Sequence, residues 1–116
     1  MDLVRKILFA IEEKPHGLFE GKLHIERFTS EQIGYHVYLM IQSGLIEGSD
    51  ATSMDDNSPC AMPRCLTWYG HDFLDASRDE ERWITAKEII GKVKGASFDI
   101  VMMILTELMK KQVLGL

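Results

Sequence analysis

Residues 29–67 carry the pattern that most restricts what this chain can fold into. Ile33, Val37, Met40 and Ile41 recur at helical spacing. Thr29 or Ser30 stands where a helix cap belongs, and Glu31 suits the positive end of the helix dipole. Gly44 closes the helix, because glycine takes the left-handed conformation past a helix end without steric penalty. Leu45-Ile46 then begins a strand. Ala51 to Pro63 lacks apolar periodicity and is rich in Asp, Asn, Ser and Pro, which reads as a loop or hairpin tip. Arg64-Cys65-Leu66-Thr67 reads as the returning strand. A helix therefore leads straight into a β-hairpin.

Upstream, Leu3, Val4, Ile7, Leu8 and Ile11 share one helical face. Asp2 can cap that helix and Pro15 ends it, predicting an amphipathic helix over residues 3–14. Leu23, Ile25 and Arg27 alternate with polar neighbours, the pattern of a short strand within residues 15–28. Downstream, Thr67 can cap a helix through Phe73, Leu74 and Ala76. Asp79-Glu80-Glu81 opens another helix with Trp83, Ala86, Ile89 and Ile90, and Ser97 caps a last one. Trp68 and Trp83 read as hydrophobic anchors at the hairpin–helix junction. His36 reads as a structural histidine bonded to nearby backbone, and His71 as a half-buried junction residue.

This order of elements is an α+β plan of the winged helix-turn-helix kind, with a recognition-type helix, a hairpin as the wing and a C-terminal helical extension. The stretch Lys22–Thr29 is too short for the further helix of about two to three turns that such a plan normally includes. The expected organisation is a single domain, with residues 1–78 as the winged-helix-like core and 79–116 as C-terminal helices.

Composition narrows the function. At 116 residues and 46% hydrophobic, the chain can fill one core. No apolar run approaches the roughly 20 residues of a membrane helix. The first turn is amphipathic rather than signal-like, and two cysteines are too few for a secreted disulfide scaffold, so the expected location is cytoplasmic. A net charge of −5 excludes a generally basic nucleic-acid coat, though not a local basic patch. Within residues 29–76, Arg64 is the only Lys or Arg, against Glu31, Glu47, Asp50, Asp55, Asp56, Asp72 and Asp75.

Tyr35 through Glu47, with His36, Gly44, Leu45 and Ile46, resembles a recognition helix running into the first wing strand of winged-helix regulators. Leu66-Thr67-Trp68-Tyr69-Gly70-His71-Asp72-Phe73-Leu74 resembles their junction after the wing, Leu-Thr-x-x-Gly-x-x-Phe/Leu-Leu. More closely, the chain resembles a family of small bacterial and phage proteins catalogued as a domain of unknown function. The shared blocks are Met1–Leu8, Ile33–Gly48, and Leu66–Ala76 with Arg78-Asp79 and Trp83. The resemblance implies a phage-related setting with winged-helix blocks, and it implies no catalytic residue.

The leading expectation is a small non-enzymatic transcription regulator of mobile-element type that binds DNA as a homodimer. Gln32, Tyr35, Tyr38 and Gln42 would face the groove, with glutamine amides matching adenine edges, and Arg64 would meet a phosphate. The alternative is a protein-binding adaptor on the same scaffold, whose acidic face around Asp50, Asp55 and Asp56 meets a basic partner or mimics DNA charge. Phe98, Val101, Met102, Leu105, Leu108 and Met109 form a broad apolar stripe that serves either core packing or dimerisation. Cys60, Cys65 and His71 fit a zinc site poorly, since a fourth ligand would have to come from His16, His24, His36 or an Asp. No nucleophile with an adjacent base and no phosphate-binding glycine loop emerges. No metal, cofactor, membrane partner or enzymatic activity is therefore expected.

Overall fold

The computed structural model describes residues 2–14, 19, 23–52, 58–92 and 97–115. The elements run α1 (Asp2–Glu12), α2 (Ser30–Gln42), β1 (Ile46–Asp50), β2 (Ala61–Leu66), α3 (Trp68–Ser77), α4 (Glu80–Gly91) and α5 (Phe98–Leu114). The class is mixed α+β, with one two-stranded antiparallel sheet. The residues group into two compact units, Met1–His71 and Asp72–Leu116.

In the first unit α1 buries Leu3, Ile7, Leu8 and Ile11, and it packs on α2 and β2. Each such aliphatic side chain contributes about 1.5–3 kcal/mol when taken from water. α2 starts with a capping box: the Thr29 hydroxyl accepts the Gln32 N–H at 3.1 Å, and Gln32 Oε1 accepts the Thr29 N–H at 2.9 Å. Ile33, Val37 and Met40 form its buried face. The helix stops at Gly44, whose φ of 81° is left-handed. There the Gly44 N–H returns to the Ile41 carbonyl and the Leu45 N–H to the Met40 carbonyl, at 3.1 and 2.9 Å. This double return satisfies the last carbonyls and aims the chain into β1.

β1 and β2 pair Ile46 with Leu66 and Glu47 with Cys65, then Gly48 with Pro63, so Arg64 is the extra residue of a β-bulge. The Arg64 carbonyl accepts the Phe19 N–H at 2.6 Å. β2 starts at Ala61, upstream of the expected Arg64, because the irregular ladder beside the bulge accommodates Pro63. The strands close at Gly48, where a Cβ would stand 2.2 Å from the Met62 carbonyl oxygen.

One expectation is corrected here. Residues 23–25 form no strand; the Phe28 N–H bonds to the Ile25 carbonyl at 3.2 Å, and Arg27, at φ 74°, breaks the extended run. The rest of the anticipated strand, residues 15–18 and 20–22, lies outside the described residues. Among the described residues no helix stands between α1 and α2.

Thr67 joins the hairpin to α3. Its N–H donates to the Leu45 carbonyl at 3.1 Å, its hydroxyl donates toward the Gly44 carbonyl, and the same oxygen caps α3 by accepting the Gly70 N–H at 3.0 Å. α3 presents Gly70, Phe73, Leu74 and Ser77 on its buried side. Trp68 lies two positions before Gly70, on the opposite side of the helix, and is 86% exposed, so it is not the anchor that the sequence indicated. His71 likewise faces solvent instead of being half-buried.

In the second unit Phe73 meets Trp83 edge-on at 6.1 Å and Phe98 at 4.9 Å between ring centroids. Trp83, Ala86, Val101 and Leu105 are buried where α4 packs on α5. Asp79 caps α4 by accepting the Arg82 N–H at 2.9 Å, and Ser97 caps α5 through the Ile100 N–H at 3.4 Å. Arg82 donates through Nε to the Ala76 carbonyl at 2.7 Å and through Nη1 to Gln112 at 2.6 Å, tying three helices together. Among the described residues no helix is long and apolar enough to cross a membrane.

Candidate interaction surface

α2 and the hairpin carry most of the residues that the sequence singled out. Glu31, Tyr35, Leu39 and Gln42 follow one outer line of α2, with Tyr35 39% and Leu39 40% exposed. Tyr38 is half-buried beside that line. Glu31 is tied to the returning end of the hairpin loop, where the Ser58 hydroxyl reaches its Oε1 at 3.4 Å. Glu47, Ser49, Asp50, Met62 and Arg64 are exposed on the strands.

Gln32 is exposed, but its side-chain oxygen is held by the Thr29 N–H. A bidentate contact with adenine needs both the oxygen and the nitrogen of the amide. Gln32 cannot supply that contact without giving up the helix cap, which leaves Gln42 as the free amide among the residues assigned to the groove. The signal was available in Thr29-x-x-Gln32, a capping-box spacing. His36 fills the structural role expected of it: Nδ1 donates to the Gln32 carbonyl at 2.8 Å, and its ring meets Tyr35 edge-on at 6.3 Å.

The hairpin and α1 carry the cations Arg64, Arg5 and Lys6. Arg64 is exposed at the bulge. On α1, Arg5 lies 5.1 Å over the Phe9 ring and Lys6 lies 5.7 Å over Phe28. Phe28, Gln32 and His36 from one side and Asp2 and Leu3 from the other line a cleft of about 250 Å³ between α1 and α2. Lys92, in the second unit, is exposed just past α4, and Lys94 lies outside the described residues; neither is assigned to this face.

Asp50 and Glu47 each interact with a neighbour on the hairpin. Asp50 is kept below the ordinary carboxylate value by hydrogen bonds from Thr52, first its side chain and then its backbone, whose N–H lies 2.8 Å from Oδ1. Burial, then the Glu47 carboxylate at 3.6 Å, push the Cys65 thiol up, with Arg64 opposing. Cys60 sits instead against Gly34 of α2, where an added Cβ would come within 2.8 Å of its sulfur. Both cysteines are free thiols. Among the described residues no three His, Cys, Asp or Glu side chains gather where a metal could be held, and Asp55, Asp56 and His16 lie outside those residues.

Comparison with known proteins places the chain in a family. Residues 1–97 match the family described as hypothetical protein, DUF2513. The chain belongs to the DUF2513 family. A relative from Haemophilus influenzae, an uncharacterized protein, is 37% identical over 102 residues, covering 85% of this chain and 80% of its own length. No solved structure matches the chain. The DUF2513 match takes in α2, the hairpin, α3 and α4, and it ends before α5 begins.

The stripe expected for dimerisation divides in the structure. Val101 and Leu105 are core residues of the second unit, 1% and 0% exposed, and cannot meet another molecule without unpacking α5 from α4. Phe98 packs on Phe73, and Met102, Leu108 and Met109 are half-buried.

Proposed function

We propose that this chain is a non-enzymatic protein-binding adaptor on a winged-helix-like scaffold, with the outer line of α2 and the hairpin as its working face. One observation carries the reading. Tyr35 and Leu39 are exposed on the outer line of α2 that also carries Glu31, while Arg64 is the only Lys or Arg from residue 29 to residue 76. Exposed aromatic and apolar side chains are the material of protein interfaces. Duplex affinity rests on neutralised phosphates, which this face is poorly equipped to provide. The partner chemistry that fits is a basic protein segment. The test uses two probes, a lysine- and arginine-rich peptide and random duplex DNA, each titrated with salt. The peptide binds the native chain and loses affinity with Tyr35→Ala or Leu39→Ala, while the duplex is not retained at low salt.

A second reading, a DNA-binding regulator, is favoured by the succession of helix and hairpin and by the exposed Arg64 at the bulge. In it Tyr35, Tyr38 and Gln42 meet the groove and Arg64 a phosphate. Duplex retention that falls steeply with salt and weakens on Arg64→Ala selects this reading and overturns the first.

A further inference from the structure

We propose that the outer stripe of α5 pairs antiparallel with the same stripe of a second copy of this chain. Met103, Glu107, Lys110 and Leu114 lie at i, i+4, i+7 and i+11, one line along the helix. All four are exposed, Met103 by 59% and Leu114 by 63%, and Glu107 and Lys110 form an exposed pair at 3.6 Å. The line therefore reads apolar, acidic, basic, apolar.

Read from the other end, its order is apolar, basic, acidic, apolar. A two-fold axis crossing α5 midway between Glu107 and Lys110 thus sets each Met103 against a partner leucine and each Glu107 against a partner lysine. The spacing is preserved on reversal, so both apolar contacts and both charge contacts form together. This self-complementarity is what an isologous two-fold interface requires. A parallel pairing in register would instead set Glu107 on Glu107 and Lys110 on Lys110, and so is disfavoured. The interface uses a different side of α5 from Val101 and Leu105, which remain in the core. Its small extent places it in the weak, concentration-dependent class.

Sedimentation equilibrium of the full chain, from about 10 µM to about 1 mM, reads the association directly in the range expected of a small interface. The mass rises from 13.3 kDa toward twice that value. Lys110→Glu sets like charges against each other at two symmetric positions and weakens association about tenfold, as expected for exposed pairs. The double exchange Glu107→Lys with Lys110→Glu restores both the pair within the helix and the contacts across the axis, and with them the native association. Leu114→Ser abolishes the dimer. Far-UV circular dichroism confirms that each variant keeps α5 folded. A 13.3 kDa species at every concentration, or a dimer that Lys110→Glu leaves intact, or a double exchange that fails to restore it, overturns the proposal.

Discussion

Replacing Thr67 by valine keeps the shape of the side chain and removes one oxygen. In the structure that oxygen acts twice: it donates toward the Gly44 carbonyl and accepts the Gly70 N–H at 3.0 Å. Loss of an N-cap acceptor costs about 0.5–2 kcal/mol. The hydroxyl also lies 3.1 Å from the part-buried Leu45 carbonyl, and loss of the donor on this side costs about another 1 kcal/mol. Together Thr67→Val should destabilise by about 1.5–3 kcal/mol, a substantial share of the roughly 5–15 kcal/mol typical of a folded domain. Urea unfolding followed by far-UV circular dichroism measures this as a lower midpoint, by about 1–2 M at an ordinary urea slope. Thr67→Ser keeps the hydroxyl and should lose less than about 1 kcal/mol, because only a methyl group goes. A valine variant within about 0.5 kcal/mol of the native chain, or a serine variant as damaged as the valine one, refutes the assignment of Thr67 as the link between hairpin and α3.

Gly70→Ala should destabilise the fold by more than about 3 kcal/mol, since its Cβ would meet the Leu45 carbonyl oxygen at 2.0 Å, whereas Gly91→Ala, with nothing within 4 Å, should be neutral or stabilising in the same assay. Glu47→Gln should lower the Cys65 thiol and speed its alkylation, with peptide mass spectrometry separating Cys65 from Cys60; an unchanged rate would remove Glu47 as a cause. Asp50 favours its ionised form in the folded chain, so what it contributes is present above the ordinary carboxylate value and disappears as pH falls through its lowered one. Thr52→Val should move the Asp50 titration upward when followed by carboxyl NMR shifts, and an unmoved curve would refute the role of the Thr52 hydroxyl.

What the sequence made legible was local backbone chemistry. Gly44 stops α2, Thr67 caps α3, and Asp79 and Ser97 cap α4 and α5, because each such residue satisfies its own neighbours without help from elsewhere. The pairing of Ile46 with Leu66 followed from those boundaries. The start of β2 did not, because Cys60-Ala61-Met62-Pro63 has loop chemistry until the bulge at Arg64 adapts the ladder to it. The left-handed Arg27 carries no mark in its residue type, so the expected strand failed there. On the surface, the helical position of Trp68 relative to Phe73 and Leu74 could have shown that it faces outward, had phase been weighed above residue type. The division of α5 into a core side and a solvent side was hidden because apolar residues occupy both.

Among the described residues the sheet has two strands, so each also presents an edge, and sheet edges invite fibrillar growth by addition of further chains. Here that route is obstructed on both flanks. Glu47 and Asp50 place two carboxylates along five residues of β1, so stacked copies would heap negative charge at every rung. On β2, Pro63 lacks an amide to offer, and the Phe19 N–H already occupies the Arg64 carbonyl. The acidity of β1 and the proline of β2 would therefore disfavour amyloid-like polymerisation.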